Sequence, residues 1–233
     1  MSSYCYTMGN PIRLIDPIGT DTLDITFANG KWSYSTPIIA KGNDIFRIHK
    51  DNRIGIATFE GGNSLNLLNL FVGDDKSYTL GIYHISGSSE IGATGFYVAP
   101  GGKASIVEES KRRIPDGTYP MTTPEGWEQW RQPGIGGSVK DRGIRFHFSN
   151  SLPLNWTKGC FILSSDYSVV NNNIEYNKEE SRSQVRAFDF ALGASKVYNY
   201  RVKGIKYMRI GASFSNPINR IVHIKTLKQN WQK

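Results

Sequence analysis

Four short runs between residues 22 and 59, LDITF, KWSYST, DIFRIHK and RIGIATF, alternate apolar with polar residues. They are separated by Ala28-Asn29-Gly30, Lys41-Gly42-Asn43 and Asp51-Asn52. An alternation of period two buries one face of a strand and leaves the other to water. Asn, Asp and Gly at the breaks tolerate the positive φ that tight hairpin turns demand. A chain punctuated this closely has no room for long helices in its first quarter. The 24 glycines and 12% aromatic content extend the same reading to the remainder. The expected class is mainly β, a β-rich α+β fold.

The stretch Ser64–Val72, SLNLLNLFV, fits a short helix or a buried strand, because an unbroken apolar run has no diagnostic period. Residues 78–100 read as two strands with a turn near 86–89, and Pro115-Asp116-Gly117 is a further turn signal. Helix evidence concentrates in 178–192, where Val185, Phe188 and Leu192 fall three and four apart. Glu179 and Glu180 suit the positive end of the helix dipole, and Gly193 is available as a stop. Strand-like segments at 196–203, 205–210 and 220–225 then lead into a basic tail. His49 sits in an alternating run and reads as an exposed strand residue.

At 233 residues with 39% hydrophobic content the chain can build a substantial core, and no apolar run approaches the length of a membrane span. Its net charge of +8 suits nucleic acid, an anionic surface or an acidic polymer such as a bacterial cell wall. The basic residues are scattered, with Lys111-Arg112-Arg113 the densest cluster, and no nucleic-acid motif accompanies them, which argues against nucleic acid as the partner. Cys5 and Cys160 form no disulfide framework and are expected as free thiols. The N-terminal residues lack the pattern of a signal peptide, so export is expected to depend on another carrier. No set of residues has the spacing of a metal site, and no cofactor is expected. His84, Asp141 and Asp166 read as surface polar groups.

The chemistry concentrates in residues 143–163, GIRFHFSNSLPLNWTKGCFIL. His147 ends one alternating run and Cys160 opens the next, so two neighbouring strands would bring imidazole and thiol together. An adjacent imidazole lowers a thiol's pKa and accepts its proton, which makes Cys160 the candidate nucleophile and His147 the base. Gly159 removes bulk immediately before the nucleophile, leaving backbone N–H groups accessible to a developing oxyanion. Ser149 and Asn150 are possible orienters of the ring. Trp127, Trp130 and residues 133–137 suggest a loop with aromatic anchors.

Two resemblances add to this. Tyr4, Tyr6, Asn10-Pro11 and Asp16-Pro17-Ile18-Gly19 occur in the order seen where the core shell of Rhs and YD-repeat proteins ends and a variable C-terminal toxin begins. The set His147, Asn150 and Thr157-Lys158-Gly159-Cys160, with Ile114-Pro115-Asp116-Gly117-Thr118-Tyr119 upstream, resembles the signature of L,D-transpeptidase-like cysteine enzymes. It is most similar to the divergent branch that includes type VI secretion peptidoglycan toxins. That resemblance spans about residues 78–192 and implies a β-sandwich or barrel with one main helix. Two positions depart from the commoner motif: Lys158 stands where His is usual, and Ile162 where Arg is usual. Arg145, Asn150, Thr157 and Lys158 are therefore the expected substrate contacts, with Arg145 or Lys158 replacing the missing carboxylate ligand.

The division these resemblances imply is an Rhs-core tail at 1–20, an accessory β region at 21–77 and a catalytic domain at 78–233. The expected function is an antibacterial toxin domain in which Cys160 attacks the carbonyl before the terminal D-amino acid of a peptidoglycan stem. L,D-carboxypeptidase or L,D-transpeptidase exchange would follow. Such a toxin would be secreted on an Rhs-type carrier without its own leader, act in the periplasm of a target bacterium and be held in check by an immunity protein. The alternatives are a basic nuclease or other cytoplasmic toxin of the same kind of carrier, and a non-catalytic wall-binding module using Trp127 and Trp130.

Overall fold

The computed structural model describes residues 21–39, 42–74, 77–107, 112–122, 132–148, 159–165, 167–170, 173–176, 178–194, 196–201, 208–214 and 218–228. Strands β1 (Thr22–Ala28) and β2 (Lys31–Tyr34) form a hairpin across Asn29 and Gly30, at φ 53° and 75°. Strands β3 (Asp44–Lys50) and β4 (Arg53–Phe59) do the same across Asp51 and Asn52, at φ 51° and 58°. Two-residue loops with both central residues at positive φ match the right-handed twist of the strands they join, so Asn, Asp and Gly stand where the turn needs them. β3 returns to lie parallel to β1.

The next strands are β5 (Ser64–Val72), β6 (Tyr78–Ile85), β7 (Thr94–Pro100), β8 (Gly117–Thr122) and β9 (Gly134–Ile135). A 3-10 helix at Gly137–Arg142 leads to β10 (Phe146–His147), β11 (Phe161–Ser164), β12 (Tyr167–Val170) and β13 (Asn173–Tyr176). The helix α1 (Lys178–Ala191) precedes β14 (Lys196–Arg201), β15 (Met208–Ser213) and β16 (Ile221–Thr226). The molecule is thus mainly β with one main helix, and Ser64–Val72 is a strand.

Eight strands run in the order β10-β11-β7-β6-β5-β16-β8-β9. The two ends of that sheet meet: Phe146 N–H donates to the Pro133 carbonyl at 2.9 Å and Ile135 N–H to the Ile144 carbonyl at 3.2 Å. These bonds curl the sheet into a nearly closed barrel and leave little free edge. A six-stranded sheet, β13-β12-β2-β1-β3-β4, packs on its outside, and β14-β15 form a separate pair.

Strands β5 to β7 are covered on both faces. Leu65, Leu67, Tyr83, Ile85, Tyr97 and Ala99 join the barrel core, while Leu68, Leu80, Ile82, Phe96 and Val98 face the six-stranded sheet and pack with Leu23, Ile25, Phe46 and Ile48. A strand buried on both sides loses its polar alternation, which is why SLNLLNLFV had no legible period. The expected boundary between residues 77 and 78 falls between β5 and β6, which pair within the barrel sheet. Conversely, β12 and β13 lie beyond that boundary yet extend the six-stranded sheet.

Helix α1 docks against β10 and β11, and Val185, Phe188 and Leu192 enter the barrel core. Phe188 packs against Tyr83 and Phe146 with ring centroids 5.2 and 5.3 Å apart. The helix ends as the sequence anticipates: Gly193 has φ 97°, its N–H reaches the Phe190 carbonyl and the Ala194 N–H reaches the Asp189 carbonyl. Those two bonds are the Schellman pattern that satisfies terminal carbonyls. No helix among the described residues is long and apolar enough to cross a membrane.

Candidate active site

Strands β10 and β11 lie parallel, with Phe146 opposite Phe161 and His147 opposite Ile162. The two phenylalanines turn inward and stack, ring centroids 5.0 Å apart and planes 17° apart. Successive residues of a strand point to opposite faces, so with Phe146 and Phe161 committed to the core, His147 and Cys160 share the outer face. The Phe161 N–H donates to the Arg145 carbonyl at 2.9 Å, which locks the register immediately beside the cysteine.

Cys160 is a free, half-buried thiol close enough to the His147 ring for each group to shift the other's pKa. It also lies 3.9 Å from the Gly143 carbonyl. His147 Nδ1 is 2.7 Å from the Phe148 carbonyl. A carbonyl only accepts, so Nδ1 carries the proton and the neutral ring keeps its lone pair on Nε2, the nitrogen able to take a thiol proton.

The electrostatics favour ionisation of the pair. Burial by itself would raise the Cys160 pKa, but the hydrogen bond and charge of His147, followed by the backbone N–H and charge of Arg145, bring it below the ordinary thiol value. Burial by itself would lower His147, but its contact with the Cys160 sulfur and the Phe148 carbonyl lifts it above the ordinary imidazole value. A lowered thiol pKa beside a raised imidazole pKa brings the two values together and eases transfer of the thiol proton to the ring.

Arg145 is half-buried, and its Nη1 donates to Thr122 Oγ1 at 3.2 Å. Gly159 has φ 112°, and a Cβ placed there would lie 2.4 Å from Arg142 Nη2 and 2.8 Å from Ile144 Cδ1. The glycine therefore meets a steric and conformational requirement beneath the nucleophile. Asn150, Thr157 and Lys158 lie outside the described residues, as do Ser149, Trp127, Trp130, Asp166, Cys5 and the segment 1–20.

Sequence reasoning passed over Arg142. Arg142 is 2% exposed, and its guanidinium donates to the carbonyls of Ser105 and Arg112 and abuts Gly159. Burial lowers its pKa while the charge of Cys160 opposes that shift, which brings a second cation into the field of the thiol. In sequence Arg142 follows Lys140-Asp141 and looks like part of a solvated run. Its burial arises only when the loop after β7 folds over it.

The upstream motif is architectural. Asp116 accepts from the Thr226 N–H and Oγ1, both at 2.7 Å, and pairs with Arg113. The Tyr119 hydroxyl donates to the Pro115 carbonyl at 2.9 Å. These bonds hold the start of β8 against the end of β16. Asp141 is exposed as expected, and His49, half-buried, bonds Asp24 at 2.9 Å. His84 corrects its sequence reading: it is fully buried at the end of β6, because that strand is covered on both faces, and it bonds Thr94 and Asp21. No family model, curated protein or solved structure matches this chain.

Proposed function

We propose that this protein is a cysteine-dependent acyl-transfer enzyme acting on peptidoglycan stem peptides, as an L,D-carboxypeptidase, an L,D-transpeptidase or both. The observation that carries the reading is the placement of Cys160 and His147 on one face of the paired strands β10 and β11, each shifting the other's pKa, with the ring's Nδ1 proton tied to the Phe148 carbonyl. The wall substrate comes from the resemblance of the His147 and Thr157-Lys158-Gly159-Cys160 motifs. The charge of +8 favours approach to an anionic wall polymer.

In the proposed reaction the Cys160 thiolate attacks the carbonyl of the residue preceding the terminal D-amino acid. The oxyanion collapses to a thioester as His147, now imidazolium, protonates the departing amino group. Water or a second amine then attacks the thioester, His147 takes its proton, and the thiolate is released. Arg145 and Arg142 are the cations on hand to stabilise negative charge as it develops. Delivery on an Rhs-type carrier to the periplasm of a competitor, with an immunity protein in the producer, completes the proposal.

Incubating purified peptidoglycan with the wild-type chain and with Cys160→Ala, followed by muropeptide mass spectrometry, tests it. Wild type is expected to remove or exchange the terminal D-amino acid, and the variant to lose at least about 1,000-fold in rate. An equally active, folded Cys160→Ala chain overturns the mechanism. Unchanged muropeptides with toxicity confined to cytoplasmic expression would instead favour an intracellular target.

A further inference from the structure

We propose that Asp21, Asp44 and His84 form a binding site for a first-row divalent cation, zinc by preference, that clasps the six-stranded sheet to the barrel. The three come from separate elements: Asp21 precedes β1, Asp44 opens β3 and His84 lies near the end of β6. They are 2%, 1% and 0% exposed. Each offers one ligand atom, and all of those atoms lie within 4.8 Å of one another. Even with His84 protonated, two carboxylates and one imidazolium together carry a net negative charge. Burying such charge without compensation is costly; with His84 neutral, as a metal-bound imidazole must be, a divalent cation cancels the two carboxylate charges.

One pair of these ligand atoms already has the spacing of a small metal's shell. His84 Nε2 is 3.2 Å from Asp21 Oδ2. Two ligands held about 2.0–2.1 Å from a tetrahedral zinc lie roughly 3.3–3.4 Å apart. The supporting bonds are those a metal site needs to orient its ligands. His84 Nδ1 is 2.7 Å from Thr94 Oγ1, the Gly87 N–H donates to Asp21 Oδ2 at 2.6 Å, and Ser86 Oγ donates to Asp44 Oδ1 at 3.0 Å.

An independent observation points to a missing ligand. Asn66, 0% exposed, donates from Nδ2 to Asp44 Oδ2 at 2.5 Å, which sets its carboxamide against the cluster. Its Oδ1 is buried with no hydrogen-bond partner. Turning the carboxamide over, an exchange of O and N that leaves its shape unchanged, would put this unpaired oxygen where Nδ2 now meets Asp44 and supply the fourth donor a tetrahedral site lacks. One imidazole and three oxygens suit zinc, whereas calcium asks for six to eight oxygens.

The test uses the full chain carrying Cys160→Ala, so that the thiol–imidazole pair cannot take the ion and the result is independent of the proposed catalysis. After chelation and dialysis the protein is titrated with zinc chloride against a chromophoric chelator, and bound metal is counted by mass spectrometry. One equivalent of zinc per chain and a higher melting temperature in its presence are expected. Adding Asp44→Asn or His84→Gln should weaken binding by at least about 100-fold. Should both variants unfold, the titration of the parent chain decides: failure to bind zinc overturns the proposal. So does undiminished binding in a folded Asp44→Asn or His84→Gln chain, since the ion then lies elsewhere.

Discussion

Cys160 and His147 move each other's pKa in opposite directions, and that coupling can be read in solution. The thiol is held below its ordinary value although burial, the largest influence on it, pushes upward. The rate of alkylation by iodoacetamide follows the thiolate fraction, so its midpoint should fall below that of an ordinary cysteine. Replacing His147 by Ala removes the opposing hydrogen bond and charge and leaves burial in place. The alkylation midpoint should then rise, and a midpoint indifferent to His147 would break the pairing. The imidazole shifts the other way: His147 is raised, so its protonated form persists to higher pH in wild type. Arg142 belongs at this scale too, because a buried guanidinium beside Gly159 contributes positive charge that a solvated arginine would not.

The pair exists because two short strands are locked in register. Phe146 and Phe161 stack inside the barrel, and the outer face follows from the pleat. Gly159 is the entry to the second strand, at a φ disfavoured for residues with a Cβ and with Arg142 Nη2 pressed against it. Gly159→Ala must strain the backbone or displace the guanidinium. A loss of about 1–3 kcal/mol is expected in urea denaturation, together with an altered alkylation midpoint at Cys160. Wild-type values for both would show that neither the backbone angle nor the close approach matters.

Across the whole molecule, strands β5 to β7 of the barrel carry a core on each face, and the core beneath the six-stranded sheet is built from both sheets. Ile82 is fully buried on the face that meets the six-stranded sheet. Ile82→Ala should cost about 2–5 kcal/mol and shift one cooperative transition. Two separate transitions in scanning calorimetry, with only one of them moved, would show that the sheets unfold independently. A single transition also means that the barrel carrying Cys160 is stabilised by residues 21–59, which supply most of the six-stranded sheet.

The local features were legible because their causes are local. Asn29-Gly30 and Asp51-Asn52 specify hairpins through backbone sterics, Val185, Phe188 and Leu192 mark a helix face, and Gly193 ends it. The positions of His147 and Cys160 at the ends of two strands followed from the same alternation. What tertiary structure decided was burial and closure. SLNLLNLFV could not be read because it is covered on both sides, and Arg142 and His84 passed for solvated groups because the segments that bury them lie elsewhere in the chain. Pairing of residues 133–135 with 144–146, which bends eight strands into a barrel, depends on the accumulated twist of the sheet rather than on any one motif. The sequence by itself determined the strand-rich class and the placing of His147 and Cys160 at the ends of two strands. The fold alone supplied the charged neighbours that lower the Cys160 pKa against its burial, because Coulombic fields come from groups close in space.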